Sequence, residues 1–405
     1  VGGLPRRATY ITKHTIEGYE KINVDAGDFA SSGSKHGEFK SEWMARLMGD
    51  LEYDAIAVGE RDLQLGRDKL MALAEQYSLP LVCANLIDTE SKEHIVAPYR
   101  IVEKGKKSLF GLFGKPVKVG IFGILSPRYF IPVSKPGDAP LKATDPVESA
   151  KLTIEELKTK GCTIIIALVH VSVQEAGKIA SLGDLTALVM GHSMSHLAKP
   201  RFDNGAIVIQ GGREGRYIGD VKIEADGSGK VLSVEGEVNS LSSIYKDDPH
   251  YAALISEYKK ALEMMSFAPK VTKDGTEFIG KTTCGSCHVD QMDQWKTTQH
   301  ANAFATLVEN DSHFDPECVG CHVVGYGIGN GFRDARTTPA MADVQCESCH
   351  GPGMVHFRYH STDGKRGTEA AATMGPVTES VCTKCHKDDH DPEFDFEKKV
   401  VDVIH

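Results

Sequence analysis

The chain has 405 residues, 41% of them hydrophobic and 25% charged, with a formal net charge of -10. That length exceeds what one small core needs and predicts two domains. The acidic balance argues against nucleic acid and anionic membrane surfaces as principal partners, since both select basic patches, and no apolar run reaches the length of a bilayer span.

Residues 1 to about 240 read as α/β. Apolar runs rich in Val and Ile, short enough for buried strands, recur at Lys21–Ala26, Asp54–Val58, Leu79–Ala84, Val117–Leu125, Thr163–Val169, Leu185–Met190 and Ala206–Ile209. Amphipathic helical patterns lie between several of them, at Glu38–Asp50, Arg67–Tyr77 and Pro146–Lys160. This alternation predicts a layered α/β domain. Ile218–Val238 reads as a closing hairpin turned by Asp226-Gly227-Ser228-Gly229. Asp247–Met265 reads as a helix begun by Asp247, Asp248 and Pro249. The expected organisation is an α/β domain over residues 1–243, a linker helix over 244–273 and a second domain over 274–405. No signal peptide is visible, and the chain opens at Val1 inside a segment that reads as structured, so a processed or trimmed N terminus is expected.

From about Phe278 the pattern changes. Strand-like runs nearly vanish, and ten of the seventeen histidines fall between residues 278 and 405. Such a segment cannot build a large core from its own side chains. Eight of the ten cysteines lie in four Cys-x-x-Cys-His motifs: Cys284/Cys287/His288, Cys318/Cys321/His322, Cys346/Cys349/His350 and Cys382/Cys385/His386. The spacing is that of c-type haem attachment, in which two thiols form thioethers to one porphyrin edge and the adjacent imidazole binds the iron. Zinc does not require a histidine after every second cysteine, and a redox Cys-x-x-Cys would occur once. Four haems c are therefore expected. Attachment by this route takes place outside the cytoplasm, so a periplasmic, cell-surface or extracellular location is expected. The remaining cysteines, Cys83 and Cys162, sit in apolar runs and read as buried free thiols. Six further histidines are candidates for the second axial position: His300, His313, His356, His360, His390 and His405. Methionines Met292, Met341 and Met354 are the other available ligands, with histidine favoured by supply.

Three stretches carry a resemblance: Phe278–Phe304, with Cys284, His288, Trp295 and His300; Asp315–Phe332, with Cys318, His322 and Tyr326; and Val344–Gly353, with Cys346 and His350. They resemble the tetrahaem cytochromes that serve hydroxylamine oxidoreductase. The resemblance implies that His300 serves the third haem, on His350. It implies that a histidine soon after the third motif serves the first haem: His360 by spacing, with His356 as competitor. The second haem, on His322, is five-coordinate in some members, and His313 is the residue available to close it. For the fourth haem the resemblance implies His390 or His405.

The first half carries another. Gly2–Ile11, Val24-Asp25-Ala26-Gly27-Asp28, Gly59-Glu60-Arg61-Asp62, Val169-His170, Gly191-His192 and His196, and Gln210–Gly219 follow, in order, the motifs of calcineurin-like metallophosphoesterases of the 5′-nucleotidase branch. The resemblance implies a calcineurin-like layered α/β fold, joined here to a mostly α and irregular tetrahaem domain. It also implies two divalent metals on loops at strand ends, activating water against phosphorus. Asp28, His170 and His192 are retained. Glu60 and Arg61 stand where the family has Asn and His, arginine cannot ligate a metal, and the family's first Asp-x-His motif would precede Val1. A metal-free scaffold or docking domain, with no divalent metal and no working hydrolase, is therefore expected.

The expected function is electron transfer through four haems, with other redox proteins as partners and no catalytic residues. One form of it is a homo-oligomeric, haem-wired filament in which His405 reaches a neighbouring chain. The alternatives are an oxidoreductase with an open haem at His322, and a redox protein fused to a residual phosphoesterase.

Overall fold

The computed structural model describes residues 2–31, 34–105, 116–129, 140–192, 195–265, 272, 275–362, 374–387, 391 and 393–403. It divides into two compact units, Val1–Ile255 and Ser256–His405.

In the first unit, α1 (Leu4–Lys13) precedes a three-stranded parallel sheet built from β1 (Val24–Asp25), β2 (Ala55–Ala57) and β3 (Leu81–Val82). A six-stranded mixed sheet runs in the order β10-β11-β9-β8-β6-β5: Arg201–Asp203, Ala206–Ile209, Ala187–Met190, Ile164–His170, Val117–Leu125 and Tyr99–Lys104. Its four central strands are parallel, and β5 and β10 close its edges antiparallel. A short antiparallel pair, β4 (Leu86–Asp88) with β7 (Leu141–Ala143), and the hairpin β12 (Tyr217–Ala225) with β13 (Val231–Ser240) complete the strands.

Two-residue periodicity assigns each strand's side chains to two different cores. On β2, Ala55 and Ala57 face the larger sheet's Val119, Ile121, Ile164, Ile166 and Leu168. Ile56 turns the other way, into a cluster with Leu47 and Met48 of α2 (Lys35–Gly49) and Leu70 and Leu73 of α3 (Arg67–Gln76). On the larger sheet, Phe122, Ile124, Ile165, Ala167 and Val169 meet Ile154 and Leu157 of α4 (Pro146–Thr159) and Ile179 of α5 (Val173–Ala180). Helices thus cover the outer face of each sheet and the sheets pack on one another. Their approach is close: a Cβ at Gly123 would lie 2.2 Å from the Val82 carbonyl oxygen. Cys83 and Cys162 are buried and free, as expected. The helix Pro249–Met265 falls within the expected Asp247–Met265, and the division between the units falls inside it.

The second unit is built of short helices and turns. Its apolar cluster is small: Phe278, Phe304, Leu307, Val319, Val323, Val324, Phe332 and Met341. Polar side chains on one segment tie it together. Buried Glu347 accepts from Ile279 N, Gly280 N and Gly353 N at 3.0, 2.8 and 2.7 Å. Gln345 accepts from Lys281 N at 2.7 Å and donates to Ala340 O and Ala342 O. Asp343 accepts from Lys281 Nζ at 2.8 Å and Phe304 N at 3.1 Å.

Candidate functional site

Each Cys-x-x-Cys-His motif sits on or beside a short helical turn. Two motifs lie inside helices, Pro316–His322 and Cys346–His350; the other two begin in Gly280–Gly285 and Glu379–Cys382. In those two, His288 N and His386 N donate to Cys284 O and Cys382 O, both at 3.0 Å, completing one α-turn. Positions i, i+3 and i+4 share a helix face, so one turn presents both thiols and the imidazole to the same side.

The eight motif cysteines are not equally placed, and Cys287 stands apart from the rest. It is exposed, whereas the other seven are partly buried. The reason is local. Cys287 lies beyond the end of the helix Gly280–Gly285 and leads into the helix Val289–Trp295, which buries none of its residues. His288 beside it is exposed too. Around the Cys287 thiol, the neighbouring Ser286 Oγ stands at 3.8 Å, and the first motif is thus the one least covered by the chain's own side chains. Thioether formation requires an accessible sulfur, so the exposure changes the surroundings of this attachment point and leaves its chemistry possible.

The motif histidines His322, His350 and His386 each have Nδ1 engaged. His322 meets Ala303 O at 2.6 Å, His350 meets Gly375 O at 3.3 Å, and His386 meets Asp391 Oδ2 at 2.9 Å. A partner at Nδ1 fixes the ring and leaves Nε2 as the coordinating atom. This donor set fits haem iron.

The motifs are also neighbours in a definite order. The Cys284 thiol lies near enough to that of Cys346 for the two to interact electrostatically, joining motifs one and three. Cys349 is near enough to Cys382 for the two to interact electrostatically, joining three and four. Cys385 is likewise near enough to Cys321 to interact electrostatically, joining four and two.

Among the spare histidines, the His356 ring lies 6.2 Å from that of His288, and His360 lies 4.6 Å from His356. Both histidines named for the first haem thus stand together near the first motif's histidine. The backbone of His300 accepts from Val344 N at 3.2 Å, at the approach to the third motif, yet its ring lies 6.1 Å from that of His386 in the fourth. Burial first, and His386 second, pull the His300 imidazole below its ordinary pKa, which keeps it in the neutral, metal-binding form. His313 packs near Phe304 and Phe314 with Nδ1 buried and without a hydrogen-bond partner. His390 and His405 lie outside the described residues. Of the methionines, Met341 is in the apolar cluster. Sequence reasoning missed Glu347, Gln345, Asp343 and Asp391. The only trace of Glu347 was a carboxylate placed between the two cysteines of a haem motif.

In the first unit a second constellation forms at the C-terminal ends of the parallel strands, where open α/β sheets place ligands. Asp28 follows β1, Glu60 follows β2, His170 ends β8 and His192 follows β9. His170 Nε2 lies 3.1 Å from Asp28 Oδ2 and 3.2 Å from Glu60 Oε2, and His192 Nδ1 lies 2.6 Å from Glu60 Oε1. Asp28 Oδ1 accepts from Arg61 N at 2.8 Å, and His170 Nδ1 meets Ala26 O at 2.9 Å. Fully buried Asp62 accepts from Asp28 N, Ala30 N and Gly59 N at 2.8–2.9 Å and so shapes the loops. Burial disfavours charge on His170, but the Asp28 carboxylate 3.1 Å away, with Glu60 and Ala26 O adding, outweighs it and holds His170 up at about 9. Arg61 is mostly exposed, with Nε 3.9 Å from Asp28 Oδ2. His196 stands apart, stacked on Tyr217 with ring centroids 3.8 Å apart.

Residues 283–351 match the family described as Cytochrome c554 and c-prime. Cytochrome c-554 of Nitrosomonas europaea is 33% identical over 138 residues, covering 27% of this chain and 57% of that protein. The trifunctional nucleotide phosphoesterase protein YfkN of Bacillus subtilis is 30% identical over 279 residues, covering 59% of this chain and 19% of that protein. The solved structure of the calcineurin-like phosphoesterase YfkN from Bacillus subtilis matches with a TM-score of 0.56 at 27% identity, covering 64% of this chain and 89% of that one. This chain thus spans less than two thirds of the length of either relative. It joins a calcineurin-like, nucleotidase-like α/β unit to a cytochrome c554 domain, a family that implies haem c. Among the described residues, no helix is long and apolar enough to cross a membrane.

Proposed function

We propose that this chain transfers electrons outside the cytoplasm through four haems c, attached at Cys284/Cys287, Cys318/Cys321, Cys346/Cys349 and Cys382/Cys385. His288, His322, His350 and His386 would be the proximal ligands. Bound haem c supplies a reversible one-electron iron couple. The observation that carries the reading is the neighbour relation among the motifs, one to three to four to two. It gives a continuous relay whose ends are the first and second motifs. The exposed Cys287 and His288 make the first motif the more open of these ends, suited to exchange with a partner.

The chain's own residues do the positioning. Ala303 O, Gly375 O and Asp391 orient three proximal rings. Asp391 sets a negative carboxylate behind His386, where His322 and His350 meet neutral carbonyls, and that charge favours the oxidised iron there. His356 is the proposed distal partner for the first motif. The nucleotidase-like unit serves to dock a redox partner. In its finer form the reading extends the relay from chain to chain in a filament, with His405 supplying a neighbour; images showing only isolated particles at high concentration would remove that form.

The test is an anaerobic reductive titration followed by visible absorption. Uptake of four electrons per chain, with full reoxidation, is expected. Uptake of three or fewer contradicts the relay.

A further inference from the structure

We infer, resting on the four-haem reading above, that Glu347 lowers the reduction potential of the third haem, so that this haem takes its electron after the second one does. Glu347 is thus a positioning residue for charge, one that sets an uphill step inside the relay.

The carboxylate is placed for this role. Glu347 lies between Cys346 and Cys349, the attachment points of the third motif, on the short helix that ends in His350. It is 3% exposed. Its oxygens accept from the backbone N–H groups of Ile279, Gly280 and Gly353. The chain wraps closely around it: a Cβ at Gly353 would lie 3.2 Å from Oε1. Among the described residues no Lys, Arg or His is ion-paired with it, and the Lys281 ammonium is held by Asp343 instead, at 2.8 Å. Backbone dipoles therefore hold a carboxylate in the interior with no cation to cancel its charge.

The sign follows from the iron couple. Ferric haem carries one more positive charge than ferrous haem, so a fixed anion beside it stabilises the oxidised state and lowers the potential. Across roughly 10 Å, at an effective dielectric constant of about 20, one unit charge shifts the ferric-to-ferrous ratio about tenfold. Salt screens a buried charge far less than an exposed one.

The second motif supplies the comparison within the same chain. Val319 occupies the same place, after the first cysteine, and is equally buried at 2%. The proximal rings are backed alike, His322 by Ala303 O and His350 by Gly375 O. At this buried position one motif thus holds an apolar side chain and the other a carboxylate. The first and fourth motifs have Gly285 and Thr383 there, so the third motif alone carries an acid.

The experiment is a reductive titration of the full-length haem-loaded protein, followed by NMR of the haem methyl groups, which reports each haem separately. Intact mass scores the haem count apart from the potentials, so a missing haem counts against the relay and an unmoved potential against Glu347 alone. In Glu347→Gln the ferrous-to-ferric ratio of the third haem at a fixed potential should rise about tenfold, a shift of about 59 mV for one electron, and the shift should persist at high salt. Glu347→Asp keeps the charge while loosening the hydrogen bonds: its denaturation midpoint should fall, but its third-haem potential should stay near that of the wild type. A merely structural role would move both variants alike. Should Glu347→Gln fail to retain four haems, the wild type decides, because its third haem must titrate below its second. An unmoved third haem in Glu347→Gln, an equal shift in Glu347→Asp, or a wild-type third haem at or above the second overturns the inference.

Discussion

The two units of this chain solve the problem of a core in different ways. The nucleotidase-like unit buries three apolar clusters between and outside two sheets, with strand residues dividing alternately between them. The cytochrome unit has one cluster of eight buried residues, and its segments are tied by Asp343, Gln345 and Glu347. In this account haem attachment supplies the rest of its core. A side-chain core leaves a periodic record in the sequence, whereas a cofactor core leaves only its attachment points.

The contrast can be broken at several places, from the largest effect to the smallest. Replacing Cys346 and Cys349 together by Ala should remove one haem and destabilise the cytochrome unit most, since the third motif adjoins both the first and the fourth. The nucleotidase-like unit should keep its own melting transition, and two-transition calorimetry on the intact chain reads both. Leu157→Ala works the opposite way. Leu157 is fully buried against the larger sheet, and the cavity should cost about 2–5 kcal/mol, lowering only the nucleotidase-like transition and leaving the haem absorbance per chain unchanged. Glu347→Gln removes the carboxylate that accepts three backbone N–H groups. It should cost the cytochrome unit about 1–3 kcal/mol, seen as a lower denaturation midpoint followed by the haem absorbance. Ser172→Ala, which removes the capping box that starts α5, should cost the nucleotidase-like unit about 1 kcal/mol and nothing elsewhere.

The same contrast explains what was legible in the sequence. The strands Val117–Leu125 and Ala206–Ile209 emerge with the bounds their apolar runs suggest, because both faces of each are buried. The edge strand Tyr99–Lys104 went unread, since its faces are only partly covered and its charges interrupt the run. The haem motifs are self-announcing because the chemistry fixes their spacing. Their surroundings are not: four identical patterns gave no sign that Cys287 alone among the eight would stand exposed. Nor is their order in space, since proximity between motifs one and three depends on Glu347 reaching back to Ile279 and Gly280, which no local pattern records. Glu60 shows the same limit. Compared with a motif it is a lost asparagine, whereas in space its carboxylate stands between two histidines.

Intact-mass spectrometry of the denatured chain tests the central claim most directly, because only covalently attached haem survives denaturation. The account predicts one species carrying four haem increments. A mass with three increments or fewer, or an unmodified polypeptide that binds zinc at its cysteines, would contradict it.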